Sequence, residues 1–312
     1  MKTRQDRRMF LKTGALLGAG VLIQPNISSL FANSSLPPAA GAAGLAVVQG
    51  DDYYVNTVKS IEALGGMKKF IGNNSKVGLL VNSRYNKPGT YVKPEITLAV
   101  INQCLAAGAK EIISLENVTG SYWKLSGGSK KHTDVINRIK NSGEGFTEVA
   151  IPKAVSLKKA EVKKSFLECD VYINIPIFKQ HEGIKITGCL KNLMGLTSYS
   201  TNQYFHFGTK AKGWYEDVTF LSQCIADINL LRKPDLCIAD ATEYITTNGP
   251  FGPGNVARAK KVVAGTDIVA VDALGATILG YAPGEILPIK LAHQLGLGEI
   301  DLAKISVKEI KG

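Results

Sequence analysis

The chain has no Cys-x-x-Cys pair; its five cysteines, Cys104, Cys169, Cys189, Cys224 and Cys237, are odd in number and widely spaced. Such spacing offers no iron-sulfur ligand set and no structural zinc knot, so no iron-sulfur cluster is expected and the cofactor stays unknown. Also missing are a Walker loop, a Gly-x-Ser-x-Gly elbow and a His-Glu-x-x-His helix, which removes the commonest NTPase, hydrolase and zinc-protease readings. Basic residues are not interleaved with aromatics in a recognisable module, and no nucleic-acid partner is expected. Apolar runs are short: Thr13 to Ile23 is too brief and glycine-rich for a stable transmembrane anchor. There is no internal repeat.

What remains is a globular composition. A chain of 312 residues with 45% hydrophobic and 20% charged content can bury a large core in one domain or two modest ones. The formal charge is +11, and five of the basic residues (Lys2, Arg4, Arg7, Arg8 and Lys12) face one acid, Asp6, within the first twelve positions. The rest is spread over several segments, densest at Lys158, Lys159, Lys163 and Lys164, which read as the solvated flank of a helix. A basic surface of this kind suits acidic small molecules or anionic headgroups.

The segment "DRRMFLKTGALLGAGVLI" sets Arg7 and Arg8 just before Phe10-Leu11-Lys12 and a short Gly/Ala-rich apolar run. It resembles a twin-arginine export signal. The resemblance implies the twin-arginine export machinery as a partner and a periplasmic or otherwise extracytoplasmic location reached in the folded state. Residues 1–32 are read as the signal, 33–44 ("NSSLPPAAGAAG") as a linker, and 45–312 as an α/β domain, with cleavage between Asn33 and Ala43.

Within the domain, periodicity predicts strands at 45–48, 76–82, 111–115, 170–178, 235–239, 261–265 and 305–310. Helices are predicted at 52–70, 94–107, 134–140, 157–168, 216–231, 267–279 and 285–295. Such alternation implies a largely parallel sheet with helices on both faces and ligand loops at the carboxyl ends of the strands. Those loops are 82–93, 116–131, 178–195, 240–258 and 264–267.

Two of them carry unusual chemistry. "FKQHEGIKITGCLKNLMG" (178–195) gathers Lys179, His181, Lys185, Thr187, Cys189, Lys191 and Asn192 among glycines. Thr187 is placed to cap a short helix, and Cys189, among lysines, is a candidate for a lowered thiol pKa, although a core thiol is the plainer reading. "DATEYITTNGPFGPG" (240–254) supplies Asp240, Glu243 and Gly249. Asp267 is a natural helix cap, while Asp272, inside an apolar helix, needs a buried partner such as Lys191. In the loop 82–93, Arg84, Tyr85 and Lys87 offer an anion site or an ordinary turn. A metal held by His181 with Asp240 or Glu243 is not demanded by spacing.

"HEGIKITGCLKNLMG", "DATEYITTNGPFGPG" and "GTDIVAVDALGATILG" together resemble the domain of unknown function 362 family. The resemblance runs from about residue 75 towards the C-terminal region. Lys179, His181, Thr187, Lys191, Asn192, Gly195, Asp240, Gly249, Pro250, Asp267 and Asp272 match the family pattern. Many relatives also carry a ferredoxin-like cysteine cluster, which this chain lacks. The family brings no common reaction with it.

The resulting expectation is an exported enzyme acting on a small anionic molecule, with His181, Lys191 and Asp240 as catalytic groups. Lys179, Thr187, Asn192, Glu243, Gly249 and Asp272 would bind the substrate, and no metal is assigned. The alternative is a non-catalytic exported protein that holds a ligand or cofactor in the same pocket. The loops 178–195 and 240–254 are expected to form its opposite walls.

Overall fold

The computed structural model describes residues 44–312 except 128, 144 and 209–216. The segment read as an export signal and nearly all of that read as a linker lie outside the described residues.

The strands of the main sheet are β1 (Leu45–Gln49), β2 (Lys76–Val81), β3 (Glu111–Ser114), β4 (Ile139–Asn141), β7 (Val171–Ile175), β10 (Leu236–Ala241), β13 (Lys261–Gly265) and β14 (Val307–Lys311). Three two-stranded ribbons lie between them in the chain: β5 (Phe146–Ala150) with β6 (Lys159–Lys163), β8 (Lys179–His181) with β9 (Lys185–Thr187), and β11 (Tyr244–Ile245) with β12 (Val256–Ala257). The main sheet runs β14-β1-β13-β10-β7-β2-β3-β4. All its pairs are parallel except the two made by β13, which runs against its neighbours β1 and β10. The chain is therefore α/β with a largely parallel sheet.

Side-chain alternation divides the core in two. In β2, Leu79 and Val81 face one side with Ile61, Ile96 and Leu98, whereas Leu80 faces the other with Tyr172, Phe178 and Val269. Helices α1 (Tyr53–Ala63) and α2 (Pro94–Ala106) cover the first face. The second is covered by α8 (Val218–Ile228), α9 (Ile268–Ile278) and α10 (Leu287–Gln294). A strand buried on both faces reads as a continuous apolar run, which is why "KVGLLV" is so easily recognised.

Helix starts follow local chemistry. Asp52, Asp217 and Asp267 each accept backbone N–H groups of the first turn of α1, α8 and α9. Pro94 opens α2, where no N–H is required.

Two segments differ from expectation. Residues 157–168 form strand β6 followed by a single turn, α5 (Lys164–Glu168), instead of one helix. Ala160 and Val162 are buried at a spacing of two and β6 pairs antiparallel with β5, so the alternating period prevails over helix propensity. Likewise 134–140 gives one helical turn, α4 (Thr133–Ile136), and then β4, paired with β3. A further single turn, α3 (Gly120–Trp123), follows β3.

The segment 178–195 is the hairpin β8-β9 leading into the short helix α6 (Cys189–Asn192), beyond which α7 (Tyr199–Phe207) runs to Gly208. Thr187 does not cap α6: the cap position is Gly188, without a side-chain bond, and Thr187 Oγ1 is buried without a hydrogen-bond partner. Asp272 of α9 takes the role from outside, its two carboxylate oxygens accepting the N–H groups of Cys189 and Leu190 at 2.6 and 2.9 Å. Gly188 is needed for this approach, since a Cβ there would stand 2.4 Å from Asp272 Oδ1. The partner foreseen for Asp272, the Lys191 ammonium, is replaced by backbone donors.

Replacing Asp272 with Ala strands two buried N–H groups, each costing about 1–3 kcal/mol. Urea denaturation is expected to show a loss of about 2–5 kcal/mol for Asp272→Ala, with far less for Lys191→Met.

Candidate functional site

Consecutive strands leave β2 in opposite directions: β3 and β4 extend to one side, β7 and β10 to the other. In open α/β sheets a crevice forms at such a reversal, beyond the carboxyl ends of the strands. A cavity of about 420 Å3 lies on the β3 side of this reversal, beyond the carboxyl ends of β2 and β3. Its lining comes from the loop after β2 (Ser83, Arg84, Tyr85, Asn86), the loop and turn after β3 (Glu116, Asn117, Thr119, Ser121, Tyr122, Leu125), Lys163 of β6 and Gly195.

The floor beside this cavity is polar and tied together. Asn192 donates to Asn174 Oδ1 at 2.8 Å and to the Leu80 carbonyl at 3.2 Å. Asn82 donates to Asn192 Oδ1, and Asn174 to the Cys189 carbonyl. The amides thus bridge β2, β7 and α6 near the carboxyl ends of the two paired strands.

Lys179 lies next to this floor. It is 1% exposed, and its ammonium donates to the Thr90 carbonyl at 2.7 Å and sits 4.6 Å from the ring centroid of Tyr85, the ring that lines the cavity. Burial, with repulsion from Lys191 added, pushes the Lys179 amine down to about 7, while Glu116 pulls the other way. Burial also pushes the Glu116 carboxyl up, against the pull of Arg84, Lys163 and Lys179. Glu116 approaches the chain at Gly195 so closely that a Cβ there would meet Oε2 at 2.6 Å. Lys163 donates to Ser142 Oγ at 2.9 Å. The set therefore joins the basic side chains of Arg84, Lys163 and Lys191 to one amine brought to about 7 and one carboxyl pushed up by burial.

A second polar cluster is separate from the cavity lining. Asp240, fully buried, accepts the Lys93 and Thr242 N–H groups, both at 2.7 Å, and burial pushes its carboxyl up to about 6. Glu243 bridges Lys93 at 3.0 Å and Arg258 at 2.9 Å. This cluster fastens the start of α2 to β10. Asp272 is fully engaged with α6, and its burial likewise pushes it up to about 6.

The expected site residues thus separate. Lys179 lies against a ring of the cavity and Lys191 acts on it electrostatically; Asn192 belongs to the amide floor. His181 Nδ1 accepts the N–H groups of Gly183 and Ile184, which shapes the β8-β9 turn. Gly249 packs directly on that ribbon, its N–H donating to Gln180 Oε1 at 2.6 Å, and a Cβ there would collide with the Gln180 carbonyl. The loops 178–195 and 240–254 are therefore in contact at this point, and the wall facing Gly195 across the cavity comes from 83–86 and 116–125. Burial, with Cys237 and Asp272 alongside, pushes the Cys189 thiol well up, opposite to the lowering expected from nearby lysines. All five cysteines are free and buried. Among the described residues no three His, Cys, Asp or Glu side chains are grouped to hold a metal, and no helix is long and apolar enough to cross a membrane.

Sequence reasoning missed Glu116, Lys163, Asn82 and Asn174. Glu116 was signalled by its place immediately beyond a strand. The amides are single polar letters at the ends of apolar runs.

The family described as Domain of unknown function (DUF362) matches residues 76–277. The chain belongs to that family. The DUF362 region spans β2 through nearly all of α9, and so includes the cavity, the amide floor and Asp272. A curated relative, the thylakoid-associated protein sll1697 of Synechocystis sp., is 26% identical over 246 residues, 76% of this chain and 73% of its own. Among solved structures, the lactate racemase apoprotein from Thermoanaerobacterium thermosaccharolyticum aligns with TM-score 0.42 and 13% identity, covering 66% of this chain and 52% of that one. A protein from Thermotoga maritima aligns with TM-score 0.34 and 13% identity, over 61% and 51%. The chain spans about half the length of both solved proteins.

Lys179 makes the site pH-sensitive in a defined direction. An unfolded lysine keeps its proton up to roughly pH 10.4, but the folded amine releases it near 7, so between these values the unfolded state binds more protons and stability rises with pH. Relative to Lys179→Met, the wild-type protein is expected to gain up to about 2–3 kcal/mol between roughly pH 7 and 9, measured by urea denaturation.

Proposed function

We propose that the cavity between the loops after β2 and β3 binds a small anionic substrate, and that the protein is an enzyme in which Lys179 exchanges a proton with it. The observation that carries this reading is a lysine ammonium buried against Tyr85, a ring of a 420 Å3 cavity, and brought to about 7 by burial and by Lys191. An amine poised near the working pH is an effective acid and base, because both of its protonation states are populated. Arg84, at the rim, and Lys163, inside, supply charge for the anion. Glu116, a carboxyl of the same lining that burial pushes up, is the complementary proton carrier. The position beyond the carboxyl ends of parallel strands, where open α/β sheets gather ligand loops, supports the same reading.

The chain is further proposed to leave the cytoplasm folded, through the twin-arginine route, on the strength of Arg7-Arg8 and the Phe10-Leu11-Lys12 that follows. Cell fractionation of an Arg7→Lys, Arg8→Lys double variant is expected to find the precursor retained in the cytoplasm.

The site itself is tested by ligand-induced thermal shifts with a panel of small carboxylates and inorganic phosphate. At a concentration of 100 times the dissociation constant, a bound anion raises stability by about 2.7 kcal/mol. Arg84→Met and Lys163→Met are each expected to weaken binding by about 1.5–3 kcal/mol, the range of a charged hydrogen bond. A wild-type protein that no anion stabilises would defeat the reading, and binding that survives both substitutions would move the site elsewhere.

A further inference from the structure

Lys179 has more than proton transfer available to it. Its Nζ donates to one fixed acceptor, the Thr90 carbonyl, and it rests on the face of Tyr85. A neutral amine keeps two N–H bonds and one lone pair; with one N–H held by Thr90, the lone pair is directed rather than averaged over a flexible stem. Surface lysines lack both features, being protonated and mobile. Lys191 and Glu116 both act electrostatically on this amine, in opposite senses. Tyr85 is itself held at its edge by Phe251, whose ring centroid is 5.3 Å away and which is 63% exposed at the tip of the 248–254 loop. Tyr85 is thus the residue that both lines the cavity and touches the amine.

We propose that Lys179 forms an imine with the ketone or aldehyde carbon of a 2-oxo acid whose carboxylate is held by Arg84 and Lys163, with Tyr85 as the gate between the amine and the cavity. The inference rests on the anion-binding reading above and adds the substrate class and a covalent step. A 2-oxo acid is favoured because it places an anionic group and an electrophilic carbon on adjacent atoms. The cavity offers cations for the first and, behind Tyr85, an oriented amine for the second. The nitrogen lone pair attacks the carbonyl carbon and the carbonyl oxygen takes up a proton. The nitrogen then gives up its protons, and the hydroxyl, protonated by Glu116, leaves as water. One C–O double bond is exchanged for one C–N double bond and one water is released, without oxidant or reductant. Repulsion from Lys191 and burial hold the amine in its nucleophilic form, the arrangement by which active-site lysines are activated.

The test is reductive trapping on the full-length protein. Glyoxylate, pyruvate and oxaloacetate are each incubated with the protein and sodium cyanoborohydride, and the product is mapped by peptide mass spectrometry. One reduced adduct on Lys179 is expected, suppressed by excess propionate, which carries the carboxylate but no ketone, and absent with acetone, which carries the ketone but no carboxylate. The Lys179 adduct rate is expected to rise about tenfold between roughly pH 6 and 8, against about a hundredfold for a lysine of ordinary pKa. Tyr85→Ala, which leaves Lys179 itself in place, is expected to keep the adduct on Lys179 but to steepen its pH dependence towards that of an ordinary lysine, because water then reaches the amine. Adducts only on exposed lysines, a Lys179 adduct indifferent to propionate, or no adduct with any of the three acids overturns the proposal. If carboxylates still shift the melting temperature while Lys179 stays unmodified, the imine fails and the anion site survives. If neither occurs, both fail.

Discussion

The contact on which the arrangement depends is between one buried carboxylate and two backbone N–H groups. Asp272 projects from α9 and takes the first donors of α6, so the segment 178–195 is fixed to the core helix rather than to solvent. Lys179, Lys191, Asn192 and Gly195 all hang from that anchor. A charged partner on Asp272 would have neutralised it, but with looser geometry, since an ammonium on a four-carbon stem accepts many positions whereas two consecutive amides accept one. The exclusion of any side chain at Gly188 has the same origin: the backbone has to come close enough to be held.

From that anchor the electrostatics follow. Lys179 is carried into a dry position where one carbonyl and one aromatic face replace its hydration, and these stabilise an ammonium less well than water does. Lys191 on the neighbouring turn adds like charge, and Glu116 offsets part of it. Close by, the amide floor of Asn82, Asn174 and Asn192 is hydrogen-bonded throughout, whereas Thr187, across the β8-β9 ladder from Lys179, keeps a buried hydroxyl without a partner. A buried amine shifted in this way is a common signature of sites that do chemistry.

Much of the fold was legible because its strands are buried on both faces and punctuated by helix caps. "KVGLLV" and the Asp267 cap are examples. The site was legible as a set of loops, since strand ends can be read from the pattern, but not as a set of contacts. Asp272 and Lys191 looked like partners because both are charged letters in apolar surroundings, and a sequence does not display backbone donors. Lys163 was assigned to a solvated helix because "LKKAEVKKSFLE" fits either period; the pairing of β6 with β5, a tertiary fact, decides it. The burial of Lys179 depends on Thr90 and Tyr85, some ninety positions away in the chain.

Strand β1 has a consequence for how this molecule comes into being. Its residues 45–49 lie between 261–265 and 307–311, so both of its neighbours are made more than two hundred residues after it. During synthesis β1 emerges early and finds no edge to join; the middle of the sheet, β2, β3 and β7, can assemble first, because its pairings are closer in the chain. The last strands to arrive therefore act as a completion check: β1 is enclosed only when the chain has passed through the whole domain.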